Sequence, residues 1–212
     1  MRKGLIIGSG QLENLQLLCE EAKNHDFVIC ADGGVRYAIE ASISVDLIVG
    51  DLDSISKEEI SYVNNNKISI IKYPVEKDAT DLELAIDYLV ENDYNAITLI
   101  GVTGNRLDHT LANIFLLKSL FKHNIVGRII DDNNKIYYLE KSLKIPKNHM
   151  SYLSVIPLSE DGIIVSLFGF YYPLDHKYIE FGSTLGISNE IVKDYGIVEL
   201  YKGNALVIES KD

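Results

Sequence analysis

The sequence predicts an α/β domain over residues 1–124 followed by an all-β domain over residues 125–212. Three observations carry this. Up to about His123, short apolar runs alternate with amphipathic stretches of helical period. Beyond it the helical period is lost, and short β-rich runs follow one another with turn residues between them. An apolar share of 47% over 212 residues is ample for two cores.

Leu5-Ile6-Ile7 reads as the first strand, ending in Gly8-Ser9-Gly10, after which Leu12, Leu15, Leu18 and Cys19 recur at helical spacing. Phe27 to Ala31 is the second strand, Asp32-Gly33-Gly34 a turn and Val35 to Ala41 a short helix. Leu47-Ile48-Val49 is the third strand, and Ser56-Lys57-Glu58-Glu59 reads as a capping box opening the next helix. Ile68 to Ile71 and Ala96 to Ile100 are strands, each followed by a helix, over Leu82–Val90 and Leu107–Phe121. Strands separated by helices imply crossover connections and a mostly parallel, Rossmann-like sheet. The later runs 128–130, 135–139, 152–156, 162–167, 197–201 and 205–208 are separated by turns such as Glu160-Asp161-Gly162. They predict an antiparallel sandwich.

A net charge of −11 argues against nucleic acid or an anionic membrane surface as partner, because such binding depends on Lys and Arg neutralising phosphates. No run approaches the roughly 18 apolar residues of a membrane span. Cys19 and Cys30 form no metal-binding spacing and suggest no disulfide scaffold, so a soluble protein of the reducing cytoplasm is expected.

Polar residues collect where strands end. Asp32-Gly33-Gly34 follows the second strand, Asp51-Leu52-Asp53-Ser54 the third, Lys77-Asp78-Ala79-Thr80-Asp81 the fourth, and the segment from Gly101 to His109 the fifth. A parallel sheet brings those ends to one rim, where ligands of open α/β sheets gather. Singly, each has a structural reading: Asp in a turn, Thr80 with Glu83 as a capping box, Asp108 suiting a helix dipole. Arg106 is harder to explain so, since a cation opening a helix opposes the dipole unless an anion is bound there. Asp32, Asp51, Asp53 and Asp81 are hard oxygen ligands suited to magnesium on a phosphate-bearing substrate. Carboxylates, magnesium, phosphates and one arginine together read as a phosphoryl-transfer site. No P-loop motif occurs.

The chain resembles the thiamine pyrophosphokinase family over nearly its whole length. Ala31-Asp32-Gly33-Gly34, Gly50-Asp51-Leu52-Asp53-Ser54, Lys77-Asp78-Ala79-Thr80-Asp81 and Gly101 through Asn113 match the family's blocks in order and spacing, and Gly186-Ile187-Ser188-Asn189-Glu190 is similar to its thiamine-contacting segment. The resemblance implies transfer of the terminal diphosphoryl unit of ATP to thiamine, giving AMP and thiamine diphosphate. By the same resemblance, magnesium would be held by Asp32, Asp51, Asp53 and Asp81, and Arg106 would stabilise the transferring group. Asp108 would orient the groups or accept the hydroxyl proton. Asp32, Gly33, Gly34, Lys77, Asp78, Thr80, Gly104 and His109 would bind the nucleotide, and Ser188 and Asn189 the aminopyrimidine. A homodimer with its active site at the subunit interface is implied as well. Asn105 stands where the family often has glycine, and no Trp is present to stack on thiamine.

Two other readings stay open. Asp51-Leu52-Asp53-Ser54-Ile55 imitates the nucleophile motif of haloacid-dehalogenase-type phosphatases, although there it follows the first strand and here the third. A non-catalytic module binding thiamine or a nucleotide would not require so many metal-binding carboxylates.

Overall fold

The structure, a computed structural model, describes residues 1–53, 55–73 and 79–212. Contacts divide the chain into two compact units, Met1–Asp132 and Asn133–Asp212.

The first unit is α/β. Its strands are β1 (Lys3–Ile7), β2 (Phe27–Ala31), β3 (Leu47–Gly50), β4 (Ser69–Lys72), β5 (Ala96–Ile100) and β6 (Val126–Ile130). They run parallel in the spatial order β4-β3-β2-β1-β5-β6. The helices are α1 (Leu15–Lys23), α2 (Val35–Glu40), α3 (Lys57–Asn65), α4 (Asp81–Glu91) and α5 (Leu107–Lys122). Because helices cover the sheet, the central strands are apolar on both faces and read as continuous runs rather than alternating ones. Leu5, Ile7, Val28, Cys30 and Ile48 pack with Leu18, Val35 and Ala38 from α1 and α2. Leu89 of α4 and Leu120 of α5 close against Gly4 and Gly127. Strand order reverses between β1 and β5: the sheet grows outward from β1 through β2, β3 and β4, and from β5 through β6. Loops leaving the two strands at such a switch diverge and leave a crevice between them.

The second unit is all-β and antiparallel. One sheet portion has β13 (Ala205–Ser210) between β7 (Asn134–Leu139) and β9 (Tyr152–Pro157). The other has the order β11-β10-β12-β8, from β8 (Ser142–Pro146), β10 (Ile163–Phe168), β11 (Leu174–Ile179) and β12 (Tyr195–Lys202). Inward residues of both, among them Val155, Val207, Val165, Leu167 and Val198, form one core, which is the sandwich that the sequence predicts.

Two expectations are corrected. Arg128-Ile129-Ile130 belong not to the β-rich domain but to β6, in register with Thr98-Leu99-Ile100, so the division falls after Asp132 and not near residue 124. A short apolar run looks the same whether it pairs parallel or antiparallel, so the local pattern could not show this. The sequence reading also lacks β8 and β11. Both are edge strands of their sheet: β11 buries only Ile179, and β8 alternates, with Leu143 and Ile145 toward the core, but for only five residues ending in Pro146, too short a run to stand out.

Candidate active site

The site is built from the carboxyl ends of the parallel strands. β2 runs directly into a tight turn over Asp32–Gly34, with Asp32 in the left-handed region at φ 49° and Gly33 and Gly34 buried. β3 ends at Gly50, and the chain then turns through Asp51, Leu52 and Asp53, with Leu52 at φ 67°. Positive φ at two non-glycine residues flanking one rim is backbone strain of the kind that clusters at functional sites. It brings the three carboxylates together: one oxygen each from Asp32, Asp51 and Asp53 lie within 4.8 Å of one another. The backbone N–H of Asp53 donates to Asp51 Oδ1 at 3.0 Å, which fixes the turn. Asp81, the first residue of α4, joins them: the position a Cβ on residue 50 would take is 3.3 Å from Asp32 Cα and 3.4 Å from Asp81 Cγ.

Electrostatics reports the crowding. The hydrogen bond and charge of Asp51, with the charges of Asp32 and Asp81, hold the Asp53 carboxyl above its ordinary range. Such a group, rich in hard oxygen donors and short of positive charge, fits a magnesium ion through the chemistry of its donors.

Asp32 and Asp81 also face a cavity of about 500 Å³ at the β1/β5 crevice, a size that suits a nucleotide. Its walls come from Gly8-Ser9-Gly10-Gln11 after β1 and from Gly101 through Arg106 after β5, with Arg36, Thr80, His109, Thr110 and Asn113 around them. The two loops are zipped by their main chains: Gly10 N–H donates to Gly101 O at 2.6 Å and Gln11 N–H to Thr103 O at 2.8 Å. Gly101 makes this possible, since its φ of 66° is open to glycine and strained for other residues. From α5, Asn113 Nδ2 donates to Val102 O at 2.7 Å, and Thr110 Oγ1 accepts from Gly104 N at 3.1 Å.

Arg106 is the N-cap residue of α5, with no side-chain capping bond, and its guanidinium grips Asp108 at 2.6 Å while both side chains stay exposed. That contact pulls the Asp108 carboxyl down to about 2. Thr80 caps α4, accepting from the N–H of Glu83 at 3.2 Å, and still faces the cavity.

The structure therefore brings Asp32, Asp51, Asp53 and Asp81 together, and lines one cavity with Asp32, Thr80, Asp81, Gly104, Arg106 and His109. Lys77, Asp78 and Ser54 lie outside the described residues. Ser188 and Asn189 sit in the β unit. Ser188 is exposed at φ 58°, whereas Asn189 is 5% exposed and its side chain is engaged, accepting from Tyr172 N at 3.0 Å and donating to Tyr172 O at 2.8 Å. Asn189 thus braces the loop around Tyr172. Sequence reasoning missed the Gly8–Gln11 loop and Arg36, because their place at the cavity follows from β1 lying beside β5, which only the strand order reveals.

Comparison with known proteins agrees over both units. A family model for the catalytic domain of thiamin pyrophosphokinase matches residues 18–127, and one for its vitamin B1 binding domain matches residues 140–203. A thiamine pyrophosphokinase of Bacillus subtilis (strain 168) is 36% identical over 214 residues, covering 98% of each chain. A crystal structure of thiamine pyrophosphokinase from Bacillus subtilis matches with a TM-score of 0.90 at 33% identity, covering 100% of both chains. One from Geobacillus thermodenitrificans matches with a TM-score of 0.86 at 30% identity, covering 100% of this chain and 98% of that one.

Proposed function

The chain belongs to the thiamine pyrophosphokinase family and carries that family's transferase activity, and on this premise we propose how its own residues carry out the reaction. The thiamine hydroxyl oxygen bonds to the β-phosphorus of ATP, the bond between the β-phosphorus and the α,β-bridging oxygen breaks, AMP leaves with that oxygen, and the hydroxyl proton passes to solvent. The observation that carries this reading is the convergence of Asp32, Asp51 and Asp53 within 4.8 Å at the edge of a cavity that also presents Arg106. Asp32, Asp51, Asp53 and Asp81 would hold magnesium, which would offset the phosphates' charge. Arg106 stabilises charge on the transferring group, and Thr80, Gly104 and His109 line the nucleotide pocket. Gly33 and Gly34 shape the turn that presents Asp32, while Lys77 and Asp78 serve the nucleotide from the β4–α4 connection. Asp108 orients Arg106 through their ion pair at 2.6 Å. The β unit binds thiamine, with Ser188 at the pocket and Asn189 fixing the loop that forms it.

The enzyme acts as a homodimer in the cytoplasm, with the active site completed at the subunit interface. Support comes from the exposed apolar stripe on α5, where Leu107, Leu111 and Phe115 are 66%, 43% and 54% exposed. Both cysteines are free, and no helix among the described residues is long and apolar enough to cross a membrane.

Purified protein given ATP, magnesium and thiamine is expected to release AMP and thiamine diphosphate in equal amounts, read by chromatography. ADP with thiamine monophosphate, or phosphate released without thiamine, would overturn the reading.

A further inference from the structure

The chain has four arginines, of which Arg106 and Arg128 lie in ion pairs, with Asp108 and Glu21. Arg2 lies over the ring of Tyr94, away from the cavity. Arg36 differs from all three. It lines the cavity, yet among the described residues no carboxylate pairs with it, although Asp32 and Asp81 share the same wall in a chain of net charge −11.

Instead, one end of its fork is tied down. Nη2 donates to Ser9 O at 2.9 Å, to Gly10 O at 3.4 Å and to the Tyr37 hydroxyl at 2.9 Å. The guanidinium carbon lies 4.6 Å from the centre of the Tyr37 ring, and the Tyr37 hydroxyl in turn donates to Gly10 O. All these bonds fall on Nη2, the aromatic ring and the main chain, so Nε and Nη1 keep their donors. A guanidinium ordered in advance gives up less conformational freedom when it binds a phosphate anion, and its donors sit on separate nitrogens of one rigid plane, so the brace and the anion need not share a single atom as they would on a lysine.

We infer that Arg36 is a further phosphate-binding residue, which offers a remaining N–H donor, on Nη1 or on the opposite edge at Nε, to a phosphate of the bound nucleotide from a position braced on the β1 loop. The inference rests on the nucleotide-binding reading of the cavity given above. It also gives the Gly8–Gly10 loop a purpose: its carbonyls hold the cation, and its zipper to Gly101 and Thr103 sets that cation at a fixed offset from the loop bearing Arg106.

The test is calorimetric titration of ATP and of AMP, with magnesium present, into wild type, Arg36→Gln and Arg36→Lys. Glutamine keeps a donor for the carbonyls but loses the charge; lysine keeps the charge but loses the fork. Both nucleotides are expected to bind at least about tenfold more weakly to each variant, the worth of one charge-assisted hydrogen bond. The thiamine KM should stay within about twofold and the unfolding midpoint within about 3 °C. Nucleotide affinity within about twofold of wild type in either variant would overturn the inference, as would a fall in midpoint with equal loss of both substrates, the mark of a purely structural brace. Because binding is read without turnover, wild type that binds ATP but makes no AMP from thiamine refutes the proposed reaction and leaves the Arg36 test intact.

Discussion

Asp51 and Asp53 are separated by one residue in sequence and are held on one side of the chain by a left-handed Leu52 and a hydrogen bond from Asp53 N to Asp51 Oδ1. Asp51→Asn or Asp53→Asn removes one charge from the proposed magnesium group without changing its shape. The expected result is a loss of roughly a hundredfold in kcat with circular dichroism unchanged, by analogy with removing one preorganised charge-stabilising group. Adding magnesium should raise the unfolding midpoint of wild type more than that of either variant; near-normal activity in either would remove these residues from the metal site. The acidic rim was legible in the sequence, because a carboxylate just past an apolar run stands out at a strand end. Arg36 was not, since a lone arginine in a short helix looks like any solvated charge until its neighbours are known.

A second set of polar residues, away from the cavity, ties elements together. His25, just beyond α1, has a side chain only 3% exposed; its Nδ1 contacts the Glu21 carbonyl and its Nε2 lies 2.8 Å from Thr98 Oγ1 on β5. A carbonyl only accepts, so the neutral ring carries its proton on Nδ1. Arg128 Nε on β6 donates to Thr98 Oγ1 at 3.1 Å and Nη2 to Glu21 Oε2 at 2.7 Å, which leaves the Thr98 hydroxyl proton for Nε2. Burial lowers the His25 pKa, outweighing the raising effects of the Glu21 carbonyl and carboxylate, while Arg128 and Lys3 lower it further. The folded state therefore favours the neutral ring. The stability this gives is fully present above the unfolded value of about 6.5 and is lost as pH falls from there through the lower folded value. Thermal unfolding should thus show a midpoint that falls between about pH 7 and pH 5.5, and His25→Gln should flatten that slope. An equal slope in the variant would show that other groups govern it. None of this was readable beforehand, because it depends on β6 lying beside β5, and β6 was assigned to the wrong domain by its texture. The α3 cap shows the opposite case: Ser56 and Glu59 exchange both bonds of a capping box, a local motif that four residues suffice to specify.

At the scale of the whole molecule, α5 carries two faces. Leu117 and Leu120 are buried against its own unit, while Leu107, Leu111 and Phe115 recur at four-residue spacing and stay exposed. An apolar stripe left uncovered beside a site is a surface for a partner, which the proposed homodimer would supply as a second copy. Leu111→Glu or Phe115→Glu should shift the species seen by light scattering from dimer to monomer and reduce activity at least about tenfold, through loss of the shared site; a monomer of full activity would refute it. The alternation of strand and helix, then its loss, was enough to give the two units, because period is a property of each segment alone. The crevice was not, because it is a property of strand order. That order has a further consequence. The β1 and β5 loops are matched atom to atom through main-chain groups, Gly8 N to Ile100 O, Gly10 N to Gly101 O and Gln11 N to Thr103 O. A Cβ at Gly8, Gly10 or Gly101 would press on the facing main chain, and the lengths of the two loops cannot change independently either, since one added residue in either would slide every later pairing out of step. Among homologues, gaps should therefore fall elsewhere in the chain, and where one loop lengthens the other should lengthen with it.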